Sequence, residues 1–509
     1  MQTIWQDLRY GARMLMKQPG FTLIAVITLA LGIGANTAIF SVVNAVLLRP
    51  LPYRDAGRIV AIQELGPQGD RRQVTPANFL DWRAQNTVFA QLAAIHSLQS
   101  NLANDGQAER IETAITSANF FEVFGARPQA GRLFAPSDEQ AGHAPVVVLS
   151  HRLWQRRFGG EANAVGQQLI LDGKSYTVIG VAPAGFQYPG KTELWFPPLR
   201  LAPEINETFD VTQTRGFGYL SAVARLKPAV SLEQAKAEME TITARLRKQY
   251  PETNNNRFNR VVTLQTHLVG ETSRLLWLLF GAVGCVLLIA CANVANLLLA
   301  RATTRRRELA VRAALGATRG RMLRQLLTES LSLALAGGLL GLLLAWWGVD
   351  ALTRLLPANF PRLGEIALDP PALGFALLAS LATAIIFGLA PAWQSARIEL
   401  QEALKESARS STGSRRNRLR GALVTAEVAL SLSLLVGAGL LFRSFLRLQA
   451  VDPGFDAGGV LTMRLAPSGT NFREDPQYIS FYRKVAEKIA AIPGVEAVGA
   501  INTLPLSRG

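Results

Sequence analysis

The sequence predicts an α-helical transmembrane protein with five spans and a large α+β domain outside the cytoplasm. A helix needs about 20 mostly apolar residues to cross a bilayer. The chain of 509 residues has five such blocks, at 21–48, 275–300, 330–347, 373–393 and 421–442. Residues 49–274 lack a block of this kind and alternate between short strand-like and helix-like patterns. These two observations predict the fold class.

The first apolar block is predicted to stay in the mature protein. It is longer than the 7–15 apolar residues of a signal peptide, and it continues into Arg49 and Pro50 without a small-x-small cleavage site. Residues 1–20 are predicted to be a cytoplasmic amphipathic segment, with its apolar side chains on one face: Trp5, Leu8, Ala12 and Leu15. That segment fits a functional surface helix and a simple interfacial anchor equally well.

The orientation follows from basic residues in the short flanks of the spans. Three basic residues precede the first span, eight arginines lie in 301–329, and seven basic residues lie in 394–420. The connection between the third and fourth spans has only Arg354 and Arg362, beside acidic residues. The N-terminus, 301–329 and the linker 394–420 are therefore predicted to be cytoplasmic, and 49–274 to be outside. This placement accounts for much of the net charge of +16 and favours membrane lipid over nucleic acid as its partner.

Several local patterns predict the elements of the outside domain. The spacing of Phe79, Trp82, Phe89 and Leu92 predicts a helix over 78–95. Residues 145–149 and 219–226 are strand-like, and 168–181 has the pattern of a hairpin with Asp172-Gly173 as its turn. Residues 231–250 are predicted to form a helix that Ser231 caps, with Gln234 three residues on.

No catalytic or metal site is predicted. Cys285 and Cys291 lie together in one apolar block, and the four histidines are scattered along the chain. The tripeptide 173–175 (Gly-Lys-Ser) lacks the preceding glycine of a phosphate loop, because Gln168 stands at that position. We therefore expect no enzyme activity and no cofactor in this chain.

The segment 301–329 is the most specific pattern in the sequence. Leu309, Arg312 and Gly316 fall at helical spacing, and Gly316 suits a helix C-terminus. A charged helix at the membrane face can dock a soluble partner, or it can anchor the protein through its positive charge. The residues alone leave both hypotheses open.

A family resemblance favours the docking hypothesis. The run 306–317 (Arg-Arg-Glu-Leu-Ala-Val-Arg-Ala-Ala-Leu-Gly-Ala) resembles the signature of FtsX-like permeases of the MacB type. Residues 78–83 (Asn-Phe-Leu-Asp-Trp-Arg), 117–121 (Ser-Ala-Asn-Phe-Phe), 149–151 (Leu-Ser-His) and 171–181 resemble the MacB periplasmic core domain. The overall pattern is similar to the duplicated permeases frequent in acidobacteria.

The resemblance implies an export permease in the bacterial inner membrane that a separate cytoplasmic ABC ATPase drives, so that ATP is used by the partner. The coupling residues would be Arg307, Glu308, Leu309, Arg312, Gly316 and Ala317. A periplasmic adaptor or outer-membrane protein would be a further partner. The alternative is a non-transporting signal relay, FtsX-like, that activates an extracytoplasmic partner such as a cell-wall hydrolase.

Two features remain beside the coupling segment. Glu427 is an acid inside the fifth span and hence a candidate functional residue, although pairing with Arg420 would give it a structural role. Residues 443–509 are expected to begin a second, incomplete periplasmic domain, because 456–461 repeats the pattern of 55–60 at the same place after a span. There we expect strands at 459–465 and 495–501 and a helix at 476–492. An incomplete permease would pair as a homodimer or with a second permease half.

Overall fold

The computed structural model describes residues 18–104, 107–140, 143–197, 215–270, 272–304, 319–357, 360–395, 413–452, 454–456, 458–463, 465 and 475–501. They belong to two compact units. The helical unit comprises Met1–Arg49 and Val269–Asp452, and the sheet unit comprises Pro50–Leu268 and Pro453–Gly509. Each unit is described by itself.

The described α-helices are α1 (Pro19–Val43), α2 (Pro76–Gln85), α3 (Phe120–Phe124), α4 (His151–Phe158), α5 (Leu232–Gln249), α6 (Pro251–Asn254), α7 (Leu264–Val269), α8 (Thr272–Thr304), α9 (Arg319–Leu355), α10 (Pro370–Ser395), α11 (Gly413–Gln449) and α12 (Asp475–Ala490). The strands are β1 (Ile59–Leu65), β2 (Arg71–Arg72), β3 (Phe89–Asn104), β4 (Gln107–Thr116), β5 (Ala130–Gly131), β6 (Val146–Leu149), β7 (Gln168–Leu171), β8 (Lys174–Val181), β9 (Leu194–Phe196), β10 (Ser221–Leu226) and β11 (Phe258–Thr263).

Five helices of the helical unit are long and apolar enough to cross a membrane. Within the described part of the chain, these candidate spans are Pro19–Leu48, Thr272–Ala300, Leu327–Leu355, Pro370–Gly388 and Arg420–Gln449. A π-helical segment, Asn44–Leu48, continues α1 to the end of the first span. The predicted class, a five-span helical membrane protein with a large α+β domain, is confirmed.

Small residues let α1 and α9 pack closely. A Cβ atom built on Gly34 would lie 2.8 Å from the carbonyl oxygen of Gly341, and one on Gly337 would lie 2.6 Å from the Cβ of Leu29. Close backbone approach of this kind is a common means of association for membrane helices, which gain no hydrophobic driving force from lipid. The Asn36 amide also donates a hydrogen bond of 2.7 Å to the Val283 carbonyl, so α1 is tied to α8 as well.

In its described residues, the sheet unit is built on one sheet of 11 strands, in the order β11-β1-β10-β3-β4-β9-β6-β8-β5, with β2 and β7 paired beside this path. Most neighbours are antiparallel, but β4 with β9 and β6 with β8 are parallel. The helices α2 and α5 cover the β1–β10 region through a core that includes Phe79, Trp82, Met239 and Leu246. This mixture of helices and mainly antiparallel strands is the α+β architecture that the sequence predicts.

Several local predictions are confirmed. The hairpin β7–β8 turns at Asp172 and Gly173, whose φ angles of 49° and 79° suit a tight hairpin turn. The Ser231 hydroxyl accepts a hydrogen bond from the Gln234 amide, and the Gln234 side chain accepts one from the Ser231 amide. This capping box starts α5 one residue after Ser231.

The helix predicted over 78–95 is wrong in its second half. Helix α2 ends at Gln85, and β3 begins at Phe89. Residues from Phe89 onward pair on one side with β10 and then on the other with β4. The ladder hydrogen bonds from two neighbours override the helical spacing of the apolar residues, because strand formation depends more on tertiary context than on local pattern.

The strands predicted at 459–465 and 495–501 are also wrong for the residues that the structure describes there, which lie in turns or coil. Leu461 is 99% exposed. A strand gains its stability from a hydrogen-bonded neighbour, and the described tail pairs with none in the sheet order. The helix α12 (Asp475–Ala490) forms where one is predicted.

Candidate functional site: the coupling segment and the polar clusters

The predicted coupling residues lie outside the described residues. Helix α8 ends at Thr304 and α9 begins at Arg319. Arg307, Glu308, Leu309, Arg312, Gly316 and Ala317 all fall between these two points. Their role therefore stays a prediction.

The candidate intramembrane acid Glu427 lies on α11 and is half-exposed, while Arg420 is exposed. The most apolar stretch of this span has no fully buried residue, and most of its side chains are exposed. A bilayer would supply the missing apolar surroundings. A half-exposed carboxylate in that setting needs a cation, a polar group or water close by, and its functional role stays a prediction.

The structure adds a buried acid near the start of the third candidate span, which the sequence pattern missed. Glu329, on α9, lies in the candidate span Leu327–Leu355 and is 5% exposed, beside the equally buried Ser330. The Ser330 side chain lies against Gly388 of α10, where a built Cβ would be 3.0 Å from Ser330 Oγ. The sequence alone predicts that this span starts at residue 330, because charged residues precede it. The helix runs without a break from Arg319. A helical pattern that continues upstream of residue 330 is the signal that would have placed Glu329 within the span.

The motif at 78–83 forms a polar cluster in the sheet unit. Asn78 Nδ2 donates to Glu64 Oε1 over 2.6 Å, and Arg257 Nη1 lies 2.6 Å from Glu64 Oε2. Arg215 Nη1 lies 2.8 Å from Asn78 Oδ1 and 2.6 Å from Asp81 Oδ2. We call these five residues the Glu64 cluster. The cluster connects β1 and α2 with Arg257, which follows α6, and with Arg215, which precedes β10.

Burial governs the ionisation of the Glu64 cluster. Removal from water raises the pKa of Glu64, and the hydrogen bond from Asn78 and the charge of Arg257 offset this only in part. Both side chains of the Glu64–Arg257 pair are nearly inaccessible, at 2% and 10%. This buried pair therefore stabilises the fold of the sheet unit.

A second carboxylate, Glu193, lies between two arginines of α4. Arg156 Nη2 lies 2.8 Å from Glu193 Oε2, and Arg152 also contacts Oε1 of the same carboxylate. Burial on its own would raise the pKa of Glu193, but the hydrogen bonds and charges of Arg156 and Arg152 hold it below its ordinary value. The Ser150 hydroxyl starts α4 by accepting from the Leu153 amide over 3.0 Å. The motif 149–151 therefore fixes the start of α4, the helix that carries both arginines of this ion-pair cluster.

The lowered pKa of Glu193 predicts an acid-sensitive contribution to stability. A carboxyl group with a depressed folded pKa stabilises the protein above its unfolded value, near 4.5, and loses that contribution as the pH falls below it. We expect Glu193→Gln to lower stability at neutral pH and to flatten the decline below about pH 4.5. Urea unfolding of the full chain at a series of pH values measures this. Equal slopes for Glu193→Gln and wild type would contradict the assignment.

Two histidines have structural hydrogen bonds. His267 Nδ1 lies 2.6 Å from Gln63 Nε2, and His96 Nδ1 lies 3.1 Å from the Tyr219 carbonyl oxygen. Burial, and then the charge of Arg71, lowers the pKa of His267. Within the described ranges, no three His, Cys, Asp or Glu side chains come together as metal ligands.

The comparisons with known proteins match both units. The model of the MacB-like periplasmic core domain matches residues 22–242, and that of the FtsX-like permease C-terminal domain matches residues 280–400. The first match begins in the first span and ends in α5, and the second begins in α8. The chain is thus a membrane permease of the ABC transporter class. Within that class it is a MacB/FtsX-like permease, as the motifs in the sequence predict.

The curated relatives are longer than this chain. The macrolide export ATP-binding/permease protein MacB of Shigella boydii is 29% identical over 297 residues, which are 57% of this chain and 42% of that protein. The pyoverdine export ATP-binding/permease protein PvdT of Pseudomonas syringae pv. tomato is 30% identical over 296 residues, 56% of this chain and 41% of that protein. The chain thus matches less than half the length of each.

Solved structures of extracytoplasmic regions also match. The periplasmic region of MacB from Actinobacillus actinomycetemcomitans has a TM-score of 0.31 and 17% identity, and covers 42% of this chain and 91% of that chain. The extracellular domain of the ABC-type transporter YknZ from Gram-positive bacteria has a TM-score of 0.30 and 14% identity, with coverage of 40% and 99%.

Proposed function

We propose that this chain is the permease component of an ABC-type export system in the bacterial inner membrane, and that a separate cytoplasmic ATPase drives it. The observation that carries the proposal is the order of the two matched domains. A MacB-like periplasmic core domain lies between the first and second spans, and an FtsX-like permease domain follows it. Both relatives described above are named as export proteins with ATP-binding and permease parts.

The proposed cycle uses the membrane helices as the link between two compartments. ATP binding and hydrolysis in the partner would act on the segment between α8 and α9, where Arg307, Glu308 and Arg312 supply charged contacts. The helices would pass the movement to the sheet unit, which would expel or hand on a substrate that it captured outside the cytoplasm. Macrolides and pyoverdine, the cargoes in the relatives' names, are starting candidates for that substrate.

The cycle requires the N-terminus and the coupling segment to be cytoplasmic and the sheet unit to be outside. The basic flanks favour this orientation. A single cysteine placed by Ala162→Cys, at an exposed position of the sheet unit, should react from outside with a membrane-impermeant maleimide. One placed by Thr318→Cys should react only after the membrane is opened. The background lacks both native cysteines, Cys285 and Cys291, and the opposite labelling pattern would overturn the orientation.

A pull-down from membranes tests the proposed function. The tagged full chain, solubilised in mild detergent, should retain an ABC ATPase together with an adaptor or outer-membrane protein, as an export system requires. Retention of the ATPase with a cell-wall hydrolase instead would favour the signal relay. A preparation without any ABC ATPase would contradict both.

A further inference from the structure

The end of the first span that leads into the sheet unit has an irregular backbone. Helix α1 changes at Asn44 into the π-helical segment Asn44–Leu48, and Arg49 is extended, with a ψ angle of 123°. π-Helical turns are rare and cost hydrogen-bond geometry, so they persist where neighbouring contacts hold them. Arg49 is also the last residue of the helical unit before the chain enters the sheet unit.

Asp369 joins this end of the first span to the start of the fourth. Its Oδ2 atom accepts a hydrogen bond of 2.8 Å from Asn44 Nδ2. Its Oδ1 atom accepts one of 3.1 Å from the Ala372 amide, in the first turn of α10. One carboxylate therefore caps α10 and holds the π-helical segment at the same time.

Arg362 holds the residue at which the chain leaves the first span. Its guanidinium makes a two-point pair with Glu365, at 3.0 and 2.6 Å, and donates a further hydrogen bond of 2.6 Å to the Arg49 carbonyl oxygen. The Arg362 side chain is only 6% exposed. Its backbone has a φ angle of 55°, which is unfavourable for a residue with a side chain and persists where surrounding contacts enforce it.

The residues between α9 and α10 also pack against the first span. Ile366 is buried in the same apolar cluster as Val42, Val43 and Val46, and Phe360, Leu363 and Leu368 lie against that cluster. Apolar packing around the polar contacts thus keeps the geometry of their hydrogen bonds fixed.

We propose that Asn44, Asp369, Arg362, Glu365 and the Arg49 carbonyl form a clasp, and that Arg362 and Asp369 are positioning residues for coupling. This inference rests on the proposed function and deepens it. The clasp makes the π-helical end of the first span and the start of α10 move as one body. When α9 and α10 move on the ATPase side, Arg49 therefore moves with them. Arg49 is the residue at which the chain enters the sheet unit.

Paired spin labels at exposed positions test the clasp in the full chain. A label pair at Leu48→Cys and Leu373→Cys, which are both 48% exposed, reports whether the first span and α10 move together. A pair at Leu48→Cys and Leu278→Cys, the latter 72% exposed, compares the two helices that connect the sheet unit to the membrane. The protein is reconstituted with its ATPase, without native cysteines, and measured with and without ATP and vanadate.

Wild type should give a narrow Leu48–Leu373 distance distribution that ATP leaves unchanged, and a Leu48–Leu278 distance that ATP shifts. Asn44→Asp places a carboxylate against Asp369, so the first distribution should broaden and the ATP-driven shift should fall to less than half. The double variant Asn44→Asp with Asp369→Asn restores a donor and an acceptor, and asparagine still caps α10. It should therefore recover both signals.

The remaining variants separate the clasp from the proposed function. Arg362→Gln should also reduce the shift, whereas Arg354→Gln, which removes an exposed pair with Asp350, should not. All of these variants should keep ATPase stimulation, because the 37 residues of α9 lie between the coupling segment and Arg362 in the chain. An unchanged shift in Asn44→Asp, or no recovery in the double variant, would overturn the clasp alone. A wild type without any shift, and without ATPase stimulation, would overturn the proposed function with it.

Discussion

Reversing the charges of Glu308 and Arg312 together, by Glu308→Arg and Arg312→Glu, should abolish stimulation of the partner ATPase by the permease. These residues are four apart in the predicted short helix, and their charged contacts are the proposed link to the ATPase. Buried or partly buried ion pairs at an interface, each worth about 2–5 kcal/mol when one partner is lost, would turn into repulsion. ATP turnover of the reconstituted complex measures the effect, which we expect to be at least about tenfold.

A matched control distinguishes docking from general damage. Asp350 and Arg354 form an exposed i,i+4 pair at the other end of α9, 2.9 Å apart. Reversal of that pair, by Asp350→Arg and Arg354→Asp, should leave ATPase stimulation unchanged. Membrane insertion of both double variants should equal that of wild type. Glu308 and Arg312 lie outside the candidate spans, and the reversal at Asp350 and Arg354 keeps one exposed acid and one exposed base near the end of theirs. If the Glu308/Arg312 reversal still stimulated the ATPase normally, the segment 301–329 would be a membrane anchor and not a docking site.

Arg257→Met should strongly destabilise the sheet unit. The substitution leaves the buried Glu64 carboxylate without its cation and removes the 3.1 Å hydrogen bond from Arg257 Nη2 to the Gly216 carbonyl oxygen. Loss of one partner from a buried pair costs about 3–5 kcal/mol of the free energy of unfolding. Pulse proteolysis of the full chain across a urea series measures the fraction of folded sheet unit.

The control for this variant is Arg245→Met. Arg245 is exposed and donates a hydrogen bond of 2.9 Å to Gln85, so its loss should cost less than about 1 kcal/mol. The pH adds a second test, because burial already raises the pKa of Glu64 and removal of Arg257 takes away a charge that lowers it. A folded pKa above the ordinary value means that stability falls as the pH rises. The cost of Arg257→Met should therefore be smaller near pH 5 than near pH 8, and a cost no larger than that of Arg245→Met would contradict this account.

The sequence alone predicted those features that local pattern determines. Long apolar blocks define membrane helices without any tertiary information, and the Asp172-Gly173 turn and the Ser231–Gln234 capping box depend on residues within a few positions of each other. The motifs were sufficient to predict the family as well. The start of the third span was placed too late, at residue 330, because charged residues precede it in the sequence. The helix begins earlier and includes Glu329, whose charged side chain is buried.

Other features depend on contacts between distant parts of the chain. The apolar spacing from Phe89 to Leu92 fits a helix, but pairing with β10 and β4 makes it a strand. Asn44 and Asp369 are 325 positions apart, and Arg362 reaches Arg49 across 313. No local pattern indicates that these residues meet. The Glu64–Arg257 pair, across 193 positions, is of the same kind.

The most direct test of the central claim is ATP turnover with and without the partner. The purified chain in lipid nanodiscs should hydrolyse no ATP by itself, because the sequence lacks a phosphate-binding loop. Addition of the ABC ATPase recovered from the same membranes should give turnover that exceeds that of the ATPase alone and that the Glu308/Arg312 reversal removes. Robust hydrolysis by the chain alone, or an ATPase whose rate is indifferent to the chain, would contradict a permease driven by a separate ATPase.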